Sequence, residues 1–120
     1  MSERLSIKRV YDPPSADDGA RVLVDRIWPR GVRRDEAHLT AWLKDLAPTT
    51  ALRQWFGHDP ARFEEFQTRY RAELEQKGGG LAKLRALAES GKVTLLYGAK
   101  DEVHNNAVVL AHYLEGKARP

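Results

Sequence analysis

Cysteine is absent from the 120 residues, which removes disulfides, thiolate nucleophiles, Cys-type zinc sites and iron–sulfur ligation together. No stretch comes near the roughly eighteen consecutive apolar residues of a membrane-spanning helix. The charged opening MSERLSIKRVYD lacks the apolar core of a signal peptide. A cytoplasmic protein with no membrane contact is expected. Charge of one sign is scarce too: 20 Lys and Arg oppose 17 Asp and Glu, a formal net charge of +3. Acidic residues accompany most basic clusters, as in RGVRRDE and RFEEFQTRYRAELE, which falls short of the basic stripe with stacking aromatics of a dedicated nucleic-acid binder.

What is present is the composition of a folded domain: 42% hydrophobic residues, with three Trp, four Tyr and three Phe. A chain of this length buries roughly two thirds of the surface its unfolded form exposes, so residues 1–120 read as one domain.

LSIKRVYD alternates, with Leu5, Ile7, Arg9 and Tyr11 on one side and Ser6, Lys8 and Val10 on the other, which predicts a strand. Residues 13–19, PPSADDG, form a loop. ARVLVDRIW carries Val22, Leu23, Val24 and Ile27 in a nearly continuous apolar run, the mark of a central strand covered on both faces; Pro29 ends it. In HLTAWLKDLA, Leu39, Trp42, Leu43 and Leu46 recur at helical spacing, which predicts a short amphipathic helix stopped by Pro48, with VRRDEAH as its solvated lead. TTALRQWFG gives a second short helix, capped by Thr49 or Thr50 and closed by Gly57. HDPARFEEFQTRYRAELEQKGGG is the strongest local signal: Asp59 as N-cap, Pro60 at the first helical position, and Phe63, Phe66, Tyr70 and Leu74 on one face. It ends at Gly78, Gly79 and Gly80, read as a flexible hinge because a phosphate loop would need a preceding strand and a Gly-Lys-Ser/Thr ending. GLAKLRALAESG is a further helix, with Leu81, Leu84, Leu87 and Ala88 inward and Gly91 closing it. KVTLLYGA is a strand, and KDEVHNNAVVLAHYLEGK a closing helix with Val103, Ala107, Leu110 and Leu114 on one face.

A long, mostly helical stretch separates the second and third strands, which makes a crossover and not a hairpin. The expected fold is therefore α/β: a small single domain with a mainly parallel three- to four-stranded sheet flanked by helices. Ligands of such sheets bind at the carboxyl ends of the strands, where DRIWPRG and YGAKDEVHNN would meet. The first segment brings Asp25, Arg26, Trp28 and Arg30; the second brings Tyr97, Lys100, Asp101, His104, Asn105 and Asn106 around a helix start that favours anions. Arg26 or Arg30 could grip a phosphate or carboxylate in bidentate fashion, so both should matter where Arg33 and Arg34 are dispensable. His104 is the candidate acid or base, with a pKa near neutrality, and Asp25 or Asp101 would orient it. Each residue also has a plainer role open to it. Asp25 can pair with an arginine, Trp28 reads first as a packing anchor, and Asp101 as the N-cap of the last helix. His58 and Asp59 read as a structural corner or a lip over the site. The four histidines have no metal-site spacing, His104 and His112 lying more than two helical turns apart, and neither a metal nor a cofactor is implied.

With VLVDRIWPRG, WLKDLAP, WFGHDP, RYRAEL and VTLLYGAKDEVHNNAVVLAHYL in this order, the sequence resembles the YeaO-like family of small bacterial and archaeal proteins over nearly its whole length. The resemblance implies a compact α/β domain of unknown function with no accepted substrate. Its motif residues fall on Asp25, Arg26, Trp28, Pro29, Arg30 and Gly31, on Trp42 and Leu43, on Trp55 to Asp59 of the WFGHDP corner, and on Tyr97, Lys100, Asp101, His104, Asn105, Asn106 and Ala107. More distant relatives look to carry a Cys-His-Arg run starting where Asn105 stands, so a thiol mechanism implied by them has no counterpart here.

Two functions remain open: an enzyme or binding domain for a small anionic molecule, and a non-enzymatic domain docking a protein or, as the weaker form, nucleic acid. Oligomeric state is open in both.

Overall fold

The computed structural model describes residues 4–116; residues 1–3 of the charged opening and Lys117 of the closing helix lie outside the described residues. Strands β1 (Leu5–Arg9), β2 (Ala20–Leu23), β3 (Ala41–Trp42) and β4 (Val93–Tyr97) form one sheet in the order β1-β4-β2-β3, with every pairing parallel. The helices are α1 (Arg34–Ala37), α2 (Thr50–Phe56), α3 (Phe63–Leu74), α4 (Gly78–Ser90) and α5 (Asn106–Leu114). The expected α/β class and parallel sheet are thus found, and the first strand also runs parallel to its neighbour.

Side-chain alternation along the strands separates two clusters, one on each face of the sheet. Leu5, Val22, Val93, Leu95 and Tyr97 join the large core, into which α2 to α5 insert Leu52, Phe56, Phe63, Phe66, Tyr70, Leu81, Leu84 and Leu110. Tyr70 is fully buried there, and its hydroxyl donates to the Leu46 carbonyl at 2.5 Å, which gives a buried polar group its partner. The opposite face is thinner: Val10, Leu23 and Leu96 pack under Trp28, Val32, Leu39 and Trp42.

The amino-terminal half of that thin face is polar. Ser15 caps a 3-10 turn, Ala16–Asp18, through a reciprocal capping box with Asp18. The buried Asp18 carboxylate then takes Arg21 Nη1 at 2.5 Å and Lys8 Nζ at 3.1 Å. Thr94 Oγ1 donates to the Asp18 carbonyl, and Arg21 Nε to the Ala37 carbonyl. Burial pushes the Asp18 carboxyl up, but the Ser15 N–H, Lys8 and Arg21 outweigh it and hold its pKa below the ordinary value. Gly19 follows with φ +64, and a Cβ there would run into the Lys92 carbonyl, so the entry to β2 requires glycine.

Three expectations are corrected. The helix expected over residues 38–47 is instead the edge strand β3 followed by a 3-10 turn, Lys44–Leu46. Its helical spacing is produced by residues that serve opposite faces: Leu39 and Trp42 cover the thin cluster, whereas Leu43 and Leu46 join the large core. Thr40 and Leu43 donate backbone N–H groups to Arg21 and Leu23 of β2, a ladder no helix could make. The charged residues of VRRDEAH are exposed as expected, but they lead into a strand and not a helix: Arg34 opens α1, and its guanidinium stacks over the rings of Trp28 (4.3 Å) and Trp42 (5.6 Å). The triple glycine is no hinge either: α3 ends at Leu74, and Gly78–Gly80 make the first turn of α4. Gly80 lies against buried Leu46, where a Cβ would stand 2.8 Å from Cδ2. Finally β2 stops at Leu23, short of Ile27: the Val24 N–H still reaches the Leu96 carbonyl, but the Gly98 N–H is taken by the Asp25 side chain instead of a ladder carbonyl, and Ile27 is exposed.

Replacing Asp18 by Asn strands the buried Arg21 charge and should cost about 3–5 kcal/mol in urea unfolding. The ionised Asp18 stabilises the fold above its unfolded pKa of about 3.9, and that contribution should fade as pH falls through its lower folded value. Gly79→Ala meets open space and should raise stability by about 0.5–1 kcal/mol by reducing the freedom of the unfolded chain. Gly80→Ala should lower it by displacing Leu46; the midpoint of the same transition reads both.

Candidate functional site

The parallel register of β2 and β4, with Leu23 opposite Leu96, delivers residues 24–31 and 98–106 to one end of the sheet. Asp25 ties them together. Its Oδ2 accepts the Gly98 N–H at 2.8 Å and its Oδ1 the Asn106 amide at 3.2 Å, while Asn106 also donates to the Val24 carbonyl at 3.0 Å. Gly98 allows this approach, since a Cβ there would stand 3.1 Å from Oδ2. Burial pushes the Asp25 carboxyl up, opposed by the Gly98 N–H, the Asn106 amide and the positive potential of His58 and Arg53.

Neighbouring side chains are anchored in turn. Arg26 donates from Nε to the Pro48 carbonyl at 3.0 Å and from Nη2 to the Ala47 carbonyl at 3.2 Å, fastening the 47–48 segment to the β2 exit. Trp28 donates to the Val32 carbonyl at 2.8 Å and meets Trp42 edge-on at 5.4 Å, and Trp42 donates to the Asp25 carbonyl at 2.7 Å. Asn105, 1% exposed, caps α5 by accepting the Val108 N–H at 3.0 Å.

Between these loops and α2 opens a cleft of about 450 Å³, within the usual range for small-molecule sites. Buried Phe56 and Phe66, stacked at 4.3 Å, line it beside Asp25, Pro48 and Asn106. Exposed Ile27, Arg30, Arg53 and His58 complete the wall. His58 follows the left-handed Gly57 and itself has φ 59, an uncommon backbone state for a residue with a side chain. Among the described residues no group of three His, Cys, Asp or Glu comes together to hold a metal, and no helix is long and apolar enough to cross a membrane.

Over residues 4–119 the chain matches a family model described as the inactive DUF488-N3 subclade. The chain belongs to this family. It is similar to the uncharacterised protein Rv3073c of Mycobacterium tuberculosis, with 44% identity covering 95% of this chain and 96% of that one. It is also similar to the uncharacterised protein YeaO of Escherichia coli, 41% identical over 92% of this chain and 96% of the other. No solved structure gives a significant match.

In this DUF488-N3 member, six of the residues expected at the site line the cleft: Asp25, Arg26, Trp28, Arg30, Asn105 and Asn106. Tyr97, Lys100, Asp101 and His104 do not. Tyr97 is buried in the large core, where burial raises its phenol, and Lys100 is exposed. Asp101 is not the cap of α5, a place Asn105 takes. It accepts the His104 and Val103 N–H groups at 2.9 Å each through Oδ1 and meets His104 Nδ1 at 2.9 Å through Oδ2. Those backbone bonds, then the imidazole, hold it at about 2. The His104 ring rests edge-on against Phe63 at 5.0 Å, and Val103, expected inward, is exposed. Arg53 and His58 reach the cleft from the α2 side. WFGHDP was the signal for His58 as a lip, but nothing in the spacing singles out Arg53.

Arg26→Ala removes two charge-assisted hydrogen bonds to backbone carbonyls and should cost about 1.5–3 kcal/mol. Arg30→Ala, at an exposed side chain, should stay within about 0.5 kcal/mol of the parent. Thermal unfolding of the two variants without ligand distinguishes a fastening arginine from one left for binding.

Proposed function

We propose that this domain binds a small molecule bearing a phosphate or carboxylate, received in the cleft at the carboxyl ends of β2 and β4. One observation carries the reading: Arg26, Arg30, Arg53 and His58 converge on a single cleft whose lining holds one carboxylate, Asp25. Arg26 is committed to the backbone, which leaves Arg30 and Arg53 as the guanidinium groups able to meet an anion in bidentate geometry. The start of α5 at Asn106 adds a favourable dipole.

Binding without turnover is the favoured form. The chain has no cysteine, and its family is described as an inactive subclade. Were turnover found, Asp25 would be its acid or base, because the His104–Asp101 pair stands off the cleft wall. Docking of a protein is the second reading, favoured by Tyr11, Ile27 and Val103. These exposed large hydrophobic residues each follow the carboxyl end of a strand.

A thermal-shift panel of pyrophosphate and phosphorylated or carboxylated metabolites tests the proposal. A ligand at a hundred times its Kd stabilises by about 2.7 kcal/mol, so a clear rise in Tm is expected. The rise should disappear in the Arg30→Ala/Arg53→Ala double variant while its ligand-free Tm stays near the parent value. No shift with any anion, for a protein that melts cooperatively, would overturn the reading.

A further inference from the structure

We infer that the ligand is amphoteric: its anionic group meets Arg30 and Arg53 at the mouth, and a second group bearing N–H donors, such as a protonated amine, docks on Asp25 inside the cleft. This inference rests on the anion-binding reading and specifies its ligand class.

The placement of charge leads to it. A cleft evolved for a bare anion gains nothing from a carboxylate on its wall, since two like charges in a desolvated site repel. Arg30, Arg53 and His58 are exposed, whereas Asp25 is half-buried and held by Gly98 and Asn106, so the cations not committed to the backbone lie nearer solvent than the carboxylate. Arg53 and His58 are near enough to bear electrostatically on Asp25, yet neither forms an ion pair with it among the described residues.

The chemistry of the carboxylate fits a donor. Gly98 and Asn106 occupy one acceptor position on each oxygen, and an ionised carboxylate offers about four such positions in all. Each oxygen therefore keeps room for one more N–H. Burial also raises the energy of ionised Asp25, which an incoming cation would relieve. The cleft volume of about 450 Å³ exceeds what a lone phosphate fills, and Phe56, Phe66 and Pro48 give the connecting part an apolar wall.

Two matched series of probes test this by calorimetric titration: ω-aminoalkyl phosphates of two, four and six carbons, and n-alkyl phosphates of the same lengths. At the length that spans the cleft, the amino compound should bind about tenfold or more tightly than its alkyl partner, the scale of one charge-assisted hydrogen bond. Asp25→Asn should abolish that preference, the amino and alkyl compounds of each length then binding the folded variant equally, whatever the change in affinity common to both. If the variant does not fold, the order of the two series in the parent protein decides alone. Alkyl phosphates binding as tightly as amino compounds at every length would overturn this inference and leave the anion reading standing. Failure of both series to bind would overturn both.

Discussion

The double pairing of β4 is the constraint from which the rest of the molecule takes its position. Val93–Tyr97 is buried throughout and flanked by β1 on one side and β2 on the other. Each backbone N–H and C=O that points sideways must therefore find a strand, because water does not reach it. Satisfying both edges in parallel sends the chain to the same end of the sheet three times, after Arg9, after Leu23 and after Tyr97. The last two of these exits meet α2 and its flanking residues to form the cleft.

Two carboxylates show how the fold treats charge differently at its two ends. Asp18 is buried with two cations in contact and titrates low, so its ionisation supports the folded state and is lost on acidification. Asp25 is half-buried with only neutral donors in contact, and its pKa is raised. A group shifted this way is favoured protonated in the fold: its contribution is complete below the unfolded pKa and is withdrawn as pH rises through the folded one. The first carboxylate is neutralised within the chain. The second is left dependent on something else.

Much of this was legible from the residues. The strands at Leu5, Val22 and Val93 carry their periodicity openly, as do α3 with its Phe63, Phe66, Tyr70 face and the meeting of DRIWPRG with YGAKDEVHNN. What misled was spacing without knowledge of faces: Leu39, Trp42, Leu43 and Leu46 repeat like a helix although the two pairs point to opposite sides of a sheet. The first turn of α4 was hidden by its glycines, of which only Gly80 is held small by a neighbour, Leu46, while Gly78 and Gly79 face open space. For Asp101 and Asn105, both are good caps, and only the geometry around Val108 decides between them. Arg53 was illegible because its place depends on where α2 lies over the β2 exit, a tertiary relation with no local signature.

Trp28 has a consequence beyond packing. Its indole lines the cleft, edge-on to Trp42 and under the Arg34 guanidinium, while the third tryptophan, Trp55, is stacked by Arg62 and Arg69 on the helical side. Emission from an indole responds to the charge and water around it, so the molecule carries its own optical gauge of the cleft. Trp55 serves as an internal reference on the same chain.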